Sequence, residues 1–249
     1  MSTPTSSAAP RATIERIDPH LIDTTQDGPR TTLDLHLERY EFAARHAAGR
    51  RVLDLACGVG YGSALLREKG KAREVLGVDV DDGAIRRARE TYAGPGVSFL
   101  CRSAYEMSTN EAFDMAVSLE TIEHLPDPDR FLTILHGLLS PGALLVGSVP
   151  VTPSVDVNIH HLHDFTASSF RRLLTRHGFE PFEEQLQLQP YSLFRLRREI
   201  QSNAWGMDIR PNLPGYYLKH PGKAWARFCH MLRDGTVNKY LVVAARRIP

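Results

Sequence analysis

The sequence predicts an α/β protein: a doubly wound, seven-stranded, mostly parallel sheet with an insertion before its last strand. Three observations carry that expectation. Short apolar runs alternate with amphipathic stretches of ten or so residues between about residues 32 and 188. A parallel strand pair needs such a crossover helix. The runs at Val52 and Val75 are nearly continuous in apolar residues, as strands covered on both faces are. Gly49, Gly70 and Gly178 stand where periodic stretches end, the position at which a helix stops most cheaply.

In chain order, Thr32 is expected to cap a helix with Leu33, Leu37, Tyr40 and Ala44 on one face. Arg51–Ala56 is the first strand, and a glycine-rich turn leads into a helix ending at Lys69. Glu74–Asp79 is the second strand, followed by a polar helix from about Asp82 to Tyr92. Val97–Cys101 and Phe113–Leu119 are the third and fourth strands. Asp127 as N-cap and Pro128 in the first turn open a helix with Phe131, Leu135 and Leu138 on its core face. Ala143–Val149 is the fifth strand, and Thr166 caps a helix carrying Phe170, Leu173 and Leu174. Pro181–Leu188 and Lys239–Ala244 complete the sheet. The expected organisation is a flexible N-terminal arm over 1–30, a core over 31–190 completed by 239–249, and an insertion over 191–238. That insertion is too long and too aromatic for an idle connection, with Trp205, Tyr216, Tyr217, Trp225 and Phe228 among basic residues such as Arg195, Arg198, Arg210 and Arg227. A lid, a wall of the substrate pocket or an oligomer contact all suit it.

Composition narrows the classes. Thirty Lys+Arg against 29 Asp+Glu leave a net charge of +1, so no global field favours nucleic acid or an anionic membrane. No apolar run approaches the ~20 residues of a membrane span. Met1–Pro10 holds no apolar segment, so no secretory signal is expected. Three scattered cysteines, Cys57, Cys101 and Cys229, argue against a disulfide framework and for a reducing cytoplasm.

The strongest local signal is Val52-Leu-Asp54-Leu-Ala56-Cys-Gly58-Val-Gly60-Tyr-Gly62. Gly58 and Gly60 allow a tight turn and close approach of a ligand to the backbone. The following helix offers its first N–H groups. A dinucleotide site would want a glycine at 63, where Ser63 stands, and would not welcome the carboxylate of Asp54 near a pyrophosphate. That disfavours a nicotinamide dehydrogenase. About twenty residues on, Asp79 ends the second strand, where an acidic side chain accepts both hydroxyls of a ribose. An adenosine with a zwitterionic tail and no phosphates fits both halves, and S-adenosylmethionine is that molecule.

A second cluster lies past the fourth strand: Glu120-Thr-Ile-Glu123-His124-Leu-Pro126. His160, His161, His163 and Asp164 follow the fifth strand and so reach the same sheet edge. Such groups either hold a hard divalent cation such as Mg²⁺ or let a histidine take a proton from an acceptor as it is methylated. A hydroxyl gains more from such help than a neutral amine does, so the cluster tilts the expectation toward O-methylation. Arg39 and Tyr40, with His36, are candidates to fold over the cofactor, with Arg39 pairing with its carboxylate.

Taken in order, Asp54–Gly60, Gly77-Val-Asp79, Phe113–Glu120 and Leu138-Leu-Ser-Pro-Gly-Ala143 resemble the motifs of class I S-adenosylmethionine-dependent methyltransferases. The resemblance runs from about Leu33 to Phe182 and includes the final strand. It implies the Rossmann-like methyltransferase fold, with the ribose on Asp79 and the methionine part against Ala56–Gly60. Asp54, Val80, Leu119 and Arg39 join the cofactor-binding set. The loop after the third strand holds the adenine, and here it offers Ser103 and Ala104 where the family usually has an Asp. Glu120–His124 resembles the Glu-x-x-Glu-His element of ubiquinone-pathway O-methyltransferases and of small-RNA terminal 2'-O-methyltransferases. That resemblance implies Mg²⁺ on Glu120, Glu123 and His124. It adds a later histidine that aligns best with His161, beside His160 and His163. His124, Glu120 and His161 are the expected catalytic set. His36-Leu-Glu-Arg-Tyr40 is similar to methyltransferases of bacterial glycan and natural-product pathways, antibiotic biosynthesis among them. The implied activity is O-methylation of a sugar or polyhydroxylated small molecule. N-methylation of a natural product, a nucleic-acid 2'-O-methyltransferase and a non-catalytic cofactor-binding module are the alternatives. A small-molecule methyl acceptor is the expected partner, without nucleic acid or membrane, and a homo-oligomer is allowed.

Overall fold

The computed structural model describes residues 17–21, 27–109, 111–191, 210 and 212–248. Seven strands among these form one sheet in the order β3-β2-β1-β4-β5-β7-β6. They are β1 (Arg51–Leu55), β2 (Glu74–Asp79), β3 (Val97–Cys101), β4 (Phe113–Leu119), β5 (Leu139–Pro150), β6 (Phe179–Pro190) and β7 (Val237–Arg247). The first five run parallel, and β7 lies antiparallel between β5 and β6. The expected mostly parallel doubly wound sheet is therefore the observed one. The strand order turns at β1 and β4, which are neighbours whose connections leave in opposite directions. Ligands of such sheets bind at this switch point, outside the carboxyl ends of the strands.

Single-residue alternation sorts the strands into two cores. Leu53, Ala116, Leu145 and Val243 face one cluster with Phe131, Leu135, Phe170 and Leu174. Their neighbours Val52, Met115, Val117, Leu144, Val146 and Val242 face another with Phe42, Ala43, Leu65 and Leu66. Helices therefore cover both faces: α1 (Asp27–Ala44) and α2 (Tyr61–Glu68) on one, α4 (Pro128–Leu138) and α5 (Ala167–Arg176) on the other. Between them in sequence, α3 (Asp82–Tyr92) packs Ile85 and Ala88 against Phe99 of β3.

Local chemistry explains the boundaries. Asp81 caps α3 through Ala84 N, and Asp127 caps α4 through Arg130 N, with Pro128 in the first turn. Thr166 and Ser169 make a reciprocal capping box for α5. The expectation at Thr32 is corrected. The helix begins at Asp27, and Thr32 Oγ1 donates to the carbonyl of Gly28, four residues back. A threonine inside a helix satisfies its hydroxyl in this way. The last two strands run longer than their apolar stretches suggested, because their antiparallel pairing carries polar residues along.

Two short pieces flank this core. Ile17 and Asp18 are buried, with Asp18 paired to Arg87 of α3. The expected insertion contributes two helices, α6 (Leu213–Lys219) and α7 (Pro221–Asp234). Its residues 192–209 and 211 lie outside the described residues. No helix among the described residues is long and apolar enough to cross a membrane.

Candidate functional site

The turn after β1 is built by backbone geometry. Ala56, Gly58 and Gly60 all have positive φ, at 59°, 55° and 87°. At Gly60 a Cβ would lie 2.7 Å from the Phe99 ring and 2.8 Å from Ala88, so only glycine fits. At Gly58 a Cβ would meet nothing within 4 Å, which leaves space over the turn. Asp79 fastens the turn to β2: its Oδ2 accepts from Gly58 N at 2.9 Å and its Oδ1 from Asp81 N at 2.9 Å. Next to it Val80 is 64% exposed, a bare apolar surface at a strand tip. The open turn, the carboxylate and this patch fit an adenosine. Ser103 accepts from Tyr105 N, and Ala104 starts the short 3-10 turn that follows.

Asp54 lies beneath the turn, 1% exposed. It accepts from Ser63 Oγ at 2.6 Å and from Tyr40 OH at 3.3 and 3.4 Å. Burial pushes its carboxyl up to about 7, against the pull of those two hydrogen bonds. Ser63 thus stands where a dinucleotide site wants glycine because it serves Asp54. Tyr40 in turn explains Gly62, whose Cβ would sit 1.9 Å from the tyrosine ring. Beside the turn, His36 Nδ1 meets Tyr61 OH at 3.3 Å.

Arg39 is 2% exposed, so it is not a surface residue. Its Nε donates to Gln187 Oε1 at 2.8 Å, and its guanidinium lies 4.5 Å from the centre of the Tyr240 ring. Its Nη2 stands 3.8 Å from Glu120 Oε2. Glu120 has φ +48°, a strained value for a residue with a side chain. Its Oε1 accepts from Ser148 Oγ at 2.7 Å.

That turn sets Glu120 apart from the other three residues of the expected ligand set. Glu123, His124 and His161 bring one donor atom each within 4.8 Å of one another, without Glu120. Glu123 is fully buried, and its Oε1 is 3.9 Å from His124 Nε2. The rings of His124 and His161 meet edge to face at 4.6 Å. His124 Nδ1 donates to the carbonyl of His160 at 3.2 Å, and its Nε2 is turned toward Glu123. His161 Nδ1 meets Ser154 Oγ at 2.7 Å. Burial, with His124 beside it, lowers His161 to about 3, so it stays neutral. Of the alternatives, His163 is turned to the carbonyl of Leu125, and His160 contributes its carbonyl. One buried carboxylate and two imidazoles fit a divalent cation with mixed nitrogen and oxygen preference. They suit Mg²⁺ less, because it favours oxygen donors throughout.

Sequence reasoning missed Ser154, Asp156 and Tyr61. Ser154 carries no motif, and Asp156 matters only through partners on α6 and α7. Tyr61 directly follows Gly60, and that place in the chain was the available signal.

Residues 52–142 match the model of a family described as a methyltransferase domain. A protein named as a probable S-adenosylmethionine-dependent methyltransferase from Mycolicibacterium smegmatis is 32% identical over 148 residues, 57% of this chain and 56% of that protein. The chain thus spans little more than half the length of that curated relative. The ubiquinone biosynthesis O-methyltransferase of Sinorhizobium fredii is 28% identical over 201 residues, covering 80% and 73% of the two chains. The N-methyltransferase NodS of Bradyrhizobium japonicum, crystallised with S-adenosylhomocysteine, shares the fold at a TM-score of 0.57. It covers 85% of this chain and 86% of its own at 18% identity.

Proposed function

We propose that this chain, which carries a methyltransferase domain of the class I S-adenosylmethionine-dependent kind, transfers a methyl group to a hydroxyl of a small polyhydroxylated molecule, a sugar or natural product. The observation that carries the reading is the Glu123–His124–His161 cluster. It follows β4 and β5, on the sheet edge that also bears the Gly58 turn and Asp79.

The residues divide the work. Asp79 accepts from the ribose diol, Val80 lies under the adenine, and the turn from Ala56 to Gly60 leaves room for the methionine portion. Asp54, Tyr40 and Ser63 hold that turn from below. The sulfonium is already activated, so the protein must align the acceptor oxygen with the S–CH₃ bond and remove its proton. In the absence of a cation, Nε2 of His124 is the nitrogen suited to that proton. His161 binds its proton too weakly to act as the base, and it serves instead to orient His124 or to ligate a cation. A divalent cation on Glu123, His124 and His161, when bound, would lower the pKa of a coordinated hydroxyl. Ubiquinone-pathway O-methyltransferases among the relatives support a hydroxyl acceptor. Three free cysteines suit a reducing cytoplasm.

The test is methyl transfer from labelled S-adenosylmethionine to a panel of glycosides, catechols and amines, with and without EDTA. Label on hydroxyl acceptors supports the reading, and label on amines alone overturns it. Loss of activity in EDTA, restored by Mn²⁺ or Zn²⁺ better than by Mg²⁺, assigns a cation to the cluster. Full activity in EDTA leaves His124 as the base.

A further inference from the structure

The helical insertion is bolted to the loop that carries His161. Asp156, 1% exposed, lies in that loop. Its carboxylate accepts from Tyr217 OH at 2.6 Å and from Arg227 Nε and Nη2 at 2.9 and 2.7 Å. Arg227 Nη2 also donates to the carbonyl of Pro153 at 2.5 Å, one residue before Ser154. Arg210 donates to the carbonyls of Asp156 and Val155. A second link joins Lys223 to Asp164 at 2.5 Å. Asp164 accepts from the backbone N–H groups of Ser154 and Val155 at 2.8 and 3.0 Å. Every path ends beside Ser154, whose hydroxyl meets His161 Nδ1.

We propose that Asp156, Arg227 and Tyr217 form a clamp by which α6 and α7 fix Ser154, and through it hold the His161 ring against His124. The inference rests on the reading of His124 and His161 as the proton-handling or cation-holding pair. The three clamp residues are positioning residues. A buried ion pair adds little net stability over an apolar contact of the same volume, because both charges lose their water. Its bidentate geometry does fix direction, and direction is what a ring at a reaction centre requires. On this view α6 and α7 are a fixed support for the His161 loop and not a swinging lid. The polar face of α7 agrees: Lys223, Arg227 and His230 turn toward the body, while Trp225, Phe228 and Leu232 stay exposed.

The experiment uses the full chain and three variants, Arg227→Lys, Asp156→Asn and Ser154→Ala. Histidine ring NMR spectra, with His161 and His124 assigned from His161→Gln and His124→Gln, are recorded beside calorimetric titration with S-adenosylhomocysteine. The clamp predicts that the His161 and His124 resonances shift or broaden in all three variants while that of His177, at the C-terminal end of α5, stays in place. Affinity for S-adenosylhomocysteine should change less than about twofold. Turnover on any accepted substrate should fall roughly tenfold or more, in kcat more than in KM. A purely structural role would lower the melting temperature and leave the His161 resonance of the folded protein unmoved, and that result overturns the proposal. If Asp156→Asn fails to fold, Ser154→Ala and Arg227→Lys decide the matter. If no acceptor is ever methylated, the functional reading fails while the spectra still decide the clamp.

Discussion

The turn after β1 and the cluster after β4 share a sheet edge but are made differently. The turn is a backbone device, with three positive φ values within five residues and a carboxylate twenty-one residues on that accepts from Gly58 N. The cluster is a side-chain device, assembled from a 3-10 turn at Ile122–His124 and a loop reaching His161. It is supported in turn by helices that follow more than fifty residues later. A backbone device tolerates little substitution at the turn itself, whereas a side-chain device depends on distant supports. Binding should therefore follow the first region and turnover the second.

His124→Ala breaks that division most sharply. It should lower turnover at least ~100-fold, as loss of a proton-handling group does, while affinity for S-adenosylhomocysteine holds within about twofold. Steady-state kinetics beside calorimetry check it, and equal losses in both would merge the two regions. Asp79→Asn should do the reverse. It trades a charged acceptor for a neutral amide at the ribose and should weaken cofactor binding roughly tenfold or more, read by the same titration.

Much of this division was legible in the sequence. Glycines at Gly58 and Gly60 and an acid at Asp79 declare a backbone turn by identity alone, since few other residues tolerate those angles. The sheet was legible because Val52, Val75 and Leu144 sit in runs too apolar for a half-exposed strand. Glu120 matches a ligand set by its spacing, while in the fold it has a positive φ and its side chain meets Ser148 and Arg39. Asp156 was invisible because its partner Arg227 stands 71 residues away, and no local pattern encodes such a pair.

Two smaller effects sharpen the picture of the turn. Gly60→Ala forces a Cβ against Phe99 and Ala88 at φ +87° and should cost about 1–3 kcal/mol of stability. Denaturant unfolding measures it, and an unchanged midpoint would mean the turn relaxes freely. Asp54 gives the mildest test. Its carboxyl is raised from 3.8 to about 7 in the fold, so the folded state favours the protonated form. That stabilising contribution is complete below about pH 4 and is lost as pH rises through 7. The melting temperature should therefore fall more between about pH 5 and pH 8 in the wild type than in Asp54→Asn. Parallel pH profiles would place Asp54 outside the titration.

Titration of the purified chain with S-adenosylmethionine and with S-adenosylhomocysteine, in the calorimeter, bears on all of this at once. Saturable one-to-one binding of both, weakened in Asp79→Asn and kept in His124→Ala, is the result expected of an adenosine seated between the Gly58 turn and Asp79. Absence of heat from either ligand in the folded wild-type protein would contradict it.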